Sequence, residues 1–185
     1  QSNIDCYIDI ISNKKFTNNW TKQMFFEYVK NPTNLFLIAL DNNDLDCVIS
    51  GATVSTAEVV RSAIRNVGLD DVNEWVSSSF FMISPDFKNC YTFADCAIIP
   101  EPNSEQLCML AYHAAMTHQL LSGNEAKVAF LSFSTKGSGG EYYKTKKIKK
   151  AVNIFGKKYP KIMHDGELQF DAAISKSISN QKLDK

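Results

Sequence analysis

No CxxC pair, no cluster of His and Cys at metal-ligand spacing and no apolar run approaching a membrane span occurs in this chain. Its longest apolar stretches, such as residues 96–99 and 128–131, fall far short of the ~18 residues that a spanning helix needs. No basic leader followed by an apolar segment opens it. Five cysteines, Cys6, Cys47, Cys90, Cys96 and Cys108, are an odd number without metal spacing, so reduced thiols are expected and zinc is not. With three histidines and no serine or cysteine elbow motif, a nucleophilic triad is unsupported. Together these absences predict a cytoplasmic protein with no membrane partner and no metal. Arginine is scarce too: Arg61 and Arg65 stand against eighteen lysines.

What is present is an ordinary globular composition, 44% hydrophobic and 22% charged over 185 residues, enough for one well-filled domain spanning 1–185. The net charge of zero conceals a division. Residues 41–105 carry eleven acids, whereas residues 136–161 carry nine lysines against Glu141 alone. The lysine run 144–150 is compatible with an anionic partner, but a solvated helix face is the commoner explanation. With no arginine and few aromatics in that block, nucleic acid is not expected.

Apolar segments of strand length alternate with amphipathic stretches of helix length, which predicts an α/β sheet covered on both faces. Helices are expected at 21–30, ended by Pro32, and at 56–66, 104–121 and 141–155; strands are expected at 46–50, 79–84, 91–98 and 127–133. Asn103 and Gln106 form a candidate capping box for the longest helix, with Gly123 as its stop.

Two segments carry anion-binding chemistry. In KVAFLSFSTKGSGG an apolar run empties into Ser134, Thr135, Lys136, Gly137 and Ser138, where hydroxyls, a cation and glycine-freed N–H groups converge ahead of a helix. The lysine precedes the glycines, so this is no nucleotide P-loop; a flexible surface connection is the rival reading. In VISGATVSTAEVVR, Ser55 is a helix N-cap with Glu58 as box partner, while Thr56 and Arg61 add a second hydroxyl and a guanidinium suited to phosphate oxygens. A surface ion pair between Arg61 and Glu58 is the alternative there. The segment MHDGELQFDAAI gathers Asp165, Glu167, Gln169 and Asp171 around a glycine; carboxylates so close can serve as acid, base or metal ligands, and the segment reads locally as a turn. His164 beside Asp165 is a candidate proton carrier, and His113 and His118, five apart, fall on different helix faces.

VISGATVSTAEVVR, FADCAIIPEPNSEQLCMLAYHAA, VAFLSFSTKGSGG and DGELQFDAAI resemble, in order, the signature blocks of the phosphate acetyltransferase (phosphotransacetylase) family. The resemblance implies an α/β three-layer sandwich of the isocitrate/isopropylmalate dehydrogenase-like type. It also implies reversible acetyl transfer between coenzyme A and orthophosphate, with phosphate, acetyl phosphate and coenzyme A or acetyl-CoA as small-molecule substrates, no permanently bound cofactor, and a homodimer. By it, Ser55, Thr56 and Arg61 hold the phosphoryl end, with Arg61 and Ser55 the catalytic pair; Ser134, Thr135, Lys136, Gly137 and Ser138 add anion contacts, and Asp165 and Glu167 shape the cleft. It places the thiol-activating aspartate beyond Lys185 and makes the chain similar to the inserted second domain of a longer enzyme, weak or inactive alone. Ser12, Val54 and Ser62 stand where the family usually carries arginine, histidine and proline. Phosphate butyryltransferase, a malic-enzyme-linked domain and a non-catalytic phosphate-binding module are the alternatives.

Overall fold

The computed structural model describes residues 3–69 and 75–183, in two compact units, Gln1–Glu74 and Trp75–Lys185. The first unit is helical: α1 (Asn3–Ser12), a short 3-10 turn (Lys15–Thr17), α2 (Lys22–Lys30), α3 (Pro32–Asp41) and α4 (Thr56–Asn66). Pro32 both ends α2 and opens α3, where its fixed φ and missing N–H cost nothing. Ile11, Val29 and Ile38 are fully buried at the centre, and Trp20 packs edge-on against Phe16 and Tyr28 at 5.6 and 5.0 Å.

The end of α4 is anchored into this core. Asn66 is fully buried; its Nδ2 donates to Tyr28 Oη at 3.0 Å and to the Ser62 carbonyl at 2.9 Å. The Lys14 ammonium donates to the Asn66 carbonyl and to Asp41 Oδ2, placing a cation at a helix C-terminus, where the dipole favours it. Burial raises the pKa of the Tyr28 phenol, against the lowering effects of its Asn66 bond and of Arg65.

The second unit contains β1 (Ser79–Ile83), β2 (Cys90–Ala94), α5 (Ser104–Ser122), β3 (Lys127–Leu131), α6 (Tyr143–Lys158), β4 (Met163–Leu168), α7 (Phe170–Ile174) and α8 (Lys176–Leu183). β1 and β2 form an antiparallel pair. β3 and β4 form a parallel pair, a geometry that requires a crossover, and α6 supplies it. Asn103 caps α5 through a complete box with Gln106, and Gly123 ends it at φ 72, as expected from sequence. The core between α5, α6 and the β3–β4 pair is Cys108, Phe130, Ala151 and Phe155, with Tyr112 stacked on Tyr159 at 4.2 Å.

The alternation of helix and strand is present, in two small sheets. Two local expectations are corrected. Residues 46–50 form no strand: Ile49 is 96% exposed, and among the described residues no strand pairs with this stretch, so its β-prone side chains have nothing to pack on. The DGEL segment is not a turn but the second half of β4, because pairing with β3, more than thirty residues away, overrides the local preference of Asp and Gly.

Cys108 is 3% exposed and burial raises its thiol pKa, whereas Cys6 and Cys47 are exposed. A thiol reagent at neutral pH is therefore expected to modify Cys6 and Cys47 at once and Cys108 only as the second unit unfolds, as read by mass spectrometry of labelled peptides. Phe155→Ala, emptying a fully buried ring site, is expected to cost about 3–5 kcal/mol in denaturant unfolding.

Candidate functional site

In the first unit the chain approaches α4 through Gly51 at φ 111, a conformation that glycine adopts without strain. Ser55 is extended, and its Oγ accepts from the Glu58 N–H at 3.3 Å. The return bond from the Glu58 carboxylate, expected for a full capping box, is not formed. The N–H groups of Thr56 and Ala57, at the first two helical positions, have no partner within the helix. Ser55, Thr56, Glu58 and Arg61 are all exposed. Among the described residues no hydrogen bond or ion pair engages the Arg61 guanidinium, so the rival pairing with Glu58 does not occur. Arg61, five positions beyond Thr56, lies on a different face from it and shares a face with Ala57 and Glu58; because helical side chains lean toward the N-terminus, its guanidinium is directed toward the Ala57–Glu58 side of the first turn.

In the second unit the loop 132–140 leaves β3 and is tied to β4. The Lys136 N–H donates to the Glu167 carbonyl at 3.1 Å and the Ser132 N–H to the Leu168 carbonyl at 2.7 Å. The register then shifts: Phe130 faces Gly166 and Leu131 faces Leu168, which leaves Glu167 as the extra residue of a bulge and redirects its side chain. Gly166 is required in that position, since a Cβ there would meet Phe130 Cβ at 2.7 Å and Val152 Cγ2 at 2.9 Å.

The Glu167 side chain, 1% exposed, fills the loop. Its Oε1 accepts from the Ser134 hydroxyl at 2.8 Å and from the Gly137 N–H at 2.9 Å. The remaining loop amides are satisfied locally: Thr135 N–H by Ser138 Oγ at 3.0 Å, Gly139 N–H by Ser134 Oγ at 2.9 Å, and Ser138 and Gly140 N–H by the Thr135 and Gly137 carbonyls. The glycines and hydroxyls do build an anion cradle, and the anion inside it is the chain's own carboxylate.

This sorts the residues singled out from the sequence. Ser134 and Thr135 are buried and structural: Thr135 Oγ1 donates to Gln169 Oε1 at 3.3 Å and accepts from the Gln169 N–H at 2.9 Å. Lys136 is held by the Asp165 carboxylate and by the Gly166 carbonyl at 3.2 Å. Ser138 is exposed; its Oγ accepts from Thr135 and its own proton stays free to donate. Gln169, from the polar cluster around Gly166, takes part too, as do Lys149 and Lys182, which nothing local in the sequence marks. Lys149 Nζ lies 3.7 Å from Glu167 Oε2, and Lys182 donates to Gln169 Oε1 at 2.9 Å and to both Asp171 oxygens at 2.7 and 2.8 Å.

The histidines serve packing. His164 Nδ1 donates to the Ile162 carbonyl at 2.9 Å while its ring covers Phe155 and sits where a Cβ on Gly156 would fall. His113 and His118 bond the hydroxyls of Ser77 and Thr92. Among the described residues no group of three His, Cys, Asp or Glu converges on a metal position, and no helix is long and apolar enough to cross a membrane.

The class these features define is a mixed α/β protein with an exposed, arginine-bearing helix start and a loop locked by a buried carboxylate. The chain belongs to the phosphate acetyl/butaryl transferase family, whose model matches residues 1–185. It is 32% identical over 176 residues to a phosphate acetyltransferase of Buchnera aphidicola subsp. Schizaphis graminum, covering 95% of this chain and 24% of that protein. It is 38% identical over 159 residues to one of Clostridium acetobutylicum, covering 83% and 47%. Among solved structures it resembles EutD phosphotransacetylase from Staphylococcus aureus with a TM-score of 0.77 at 30% identity, over 97% of this chain and 53% of that one. A phosphotransacetylase from Streptococcus pyogenes matches with a TM-score of 0.79 at 28% identity, over 97% and 52%. The chain thus spans between a quarter and about half of these relatives.

Glu167→Ala leaves the Ser134 hydroxyl and the Gly137 N–H without their acceptor, and each buried orphan costs about 1–3 kcal/mol. The variant is expected to lose about 3 kcal/mol in urea unfolding, and Glu167→Gln, which keeps an acceptor oxygen, to lose less. The Lys182 bond holds the Asp171 carboxyl below its ordinary pKa. Its contribution is therefore present above about pH 4, the unfolded value, and lost as pH falls through the lower folded one. A melting-temperature difference between wild type and Lys182→Met is expected at pH 6 and is expected to vanish in strong acid.

Proposed function

We propose that this chain is the phosphate-binding portion of an acyltransferase that moves an acetyl group reversibly between coenzyme A and orthophosphate. The observation that carries this reading is Arg61: an exposed guanidinium with no partner among the described residues, behind a helix start whose first N–H groups and two hydroxyls are also exposed, in a chain of this family. Fork-shaped N–H donors match phosphate oxygens bidentately, and a helix N-terminus favours the same charge.

In the proposed reaction the coenzyme A sulfur attacks the carbonyl carbon of acetyl phosphate. A C–S bond forms, the C–O bond to phosphorus breaks, and orthophosphate leaves with the bonding pair. Arg61, the Ser55 and Thr56 hydroxyls and the first N–H groups of α4 stabilise the charge that grows on the departing phosphate and lower the barrier through that difference. Within the second unit, Ser134, Thr135, Gly137, Asp165 and Glu167 hold the shape of the loop 132–140, and Ser138 offers an outward-facing hydroxyl for an anion contact of that loop's own. The thiol, with an ordinary pKa near ~8.5, gives its proton to a base that none of these residues provides.

The same reading takes the chain as the counterpart of the inserted second domain of a three-layer α/β enzyme in the cytoplasm, with no permanently bound cofactor. It takes the assembled form as a homodimer: Phe80 and Met82, 59% and 51% exposed on one face of β1, form an apolar strip of the kind that assembly covers. A non-catalytic phosphate-binding module is the second reading, and the observation favouring it is that the amides of the second loop are already satisfied internally.

Calorimetric titration of the protein with orthophosphate and acetyl phosphate tests the proposal. Removing one charge-assisted contact costs about 1.5–3 kcal/mol, so Arg61→Ala is expected to weaken phosphate binding about 10- to 100-fold with an unchanged melting temperature. Phosphate affinity that is the same in wild type and Arg61→Ala overturns it. Comparison of acetyl and butyryl phosphate as substrates separates the two acyl preferences that the family name covers.

A further inference from the structure

One cation beside the second loop is held in place without being hydrogen-bonded. Lys149, on the second turn of α6, has a half-exposed side chain whose Nζ lies 3.7 Å from Glu167 Oε2. It also lies 3.9 Å from the position a Cβ on Gly137 would occupy, next in the chain to Ser138. The neighbouring lysines are engaged elsewhere. Lys136 is bonded to Asp165 and the Gly166 carbonyl, Lys146 pairs with Glu141 at 2.8 Å, Lys147 lies 3.9 Å from Glu101, and Lys144 lies over the Tyr143 ring. Glu141 feels the charge of Lys149 only as the smallest of its influences, after Lys146 and burial.

Glu167 supplies the second observation. It is 1% exposed, one of its oxygens takes two hydrogen bonds, and the other has no hydrogen-bond partner among the described residues. A buried carboxylate oxygen without a donor is costly, and such groups require an explanation. Here its consequence is positional: the carboxylate draws the Lys149 ammonium against the loop without consuming its N–H donors. Those three donors remain for something else, beside the uncommitted proton of the Ser138 hydroxyl.

We propose that Lys149 is a ligand-positioning residue: held at the loop by the buried Glu167 carboxylate, it binds a doubly charged phosphoryl group together with Ser138. This inference rests on the reading that the loop faces an anionic substrate, and it names the cation, since the Lys136 ammonium already donates to Asp165 and to the Gly166 carbonyl whereas that of Lys149 stands 3.7 Å from its carboxylate. Two sources share the required chemistry, orthophosphate or acyl phosphate and the phosphates of coenzyme A. Glu167 acts through Lys149, and its own contacts are to the loop.

The test is calorimetric titration of wild type, Lys149→Met, Lys149→Arg and Lys150→Met, with Lys149→Met repeated in a Glu167→Gln background, using orthophosphate and coenzyme A as separate probes. Lys149→Met is expected to weaken one of the two probes about tenfold, Lys149→Arg to recover most of that loss, and Lys150→Met to change neither. In the Glu167→Gln background, where a neutral amide no longer draws the ammonium to the loop, the loss on Lys149→Met is expected to shrink, while the melting temperatures of Lys149→Met and Lys150→Met are expected to match. The probe that is weakened identifies the phosphoryl source. Equal behaviour of Lys149→Met and Lys150→Met overturns the inference, as does a loss of unchanged size in the Glu167→Gln background, since Glu167 then does not act through Lys149, or a loss that Lys149→Arg fails to recover. If Arg61→Ala abolishes phosphate binding while Lys149→Met has no effect on either probe, the inference falls and the phosphate-binding reading stands; if wild type binds neither probe, both fall.

Discussion

The Glu167 carboxylate is the constraint on which the second unit's loop depends. A buried charge is tolerable only where donors converge on it, and here the Ser134 hydroxyl and Gly137 N–H do so while Lys149 stands behind. To bring the carboxylate to them, β4 carries a bulge opposite the Phe130–Leu131 step. To let β4 approach so closely, residue 166 has no side chain. The Asp-Gly-Glu sequence is thus one device: Asp165 holds Lys136, Gly166 permits contact with Phe130, and Glu167 organises the loop.

The two donor-rich segments have opposite electrostatic states. Around the loop at 134–140, the donors are largely matched by acceptors of the chain itself, so the segment is rigid and preorganised. At the start of α4, the exposed N–H groups, the Ser55 and Thr56 hydroxyls and Arg61 have no such internal anion among the described residues. Their rigidity comes from the other end of the helix, where buried Asn66 is fastened to Tyr28 and Lys14. Satisfied donors hold a shape, and unsatisfied exposed donors are the ones with binding energy left for a ligand. This division supports phosphate recognition by α4 in the proposed acyl transfer.

Much of this was legible in residue order. The α4 cap at Ser55, the α5 box of Asn103 and Gln106, the Gly123 stop and the β3 strand follow from interactions within four residues or from period-two apolar patterning, and each appears as expected. The family blocks were readable for the same reason, being contiguous. The glycine and hydroxyl content of 134–140 marked a donor-rich loop. That the cradle holds Glu167 was not readable, because its partners are separated by about thirty positions and meet only when β3 and β4 pair across α6.

The sequence by itself thus determined the caps and stop at Ser55, Asn103 and Gly123 and the donor-rich composition of both segments, all of which depend on near neighbours or composition. Tertiary structure alone decided which donors remain free. Parallel pairing turned a predicted turn into β4, left residues 46–50 without a strand partner, buried Ser134 and Thr135, neutralised Lys136 and set Lys149 beside the loop. The physical reason is the same in each case: a hydrogen-bond donor or a charge is defined by what lies within about 3–4 Å of it, and for these residues those neighbours come from distant parts of the chain.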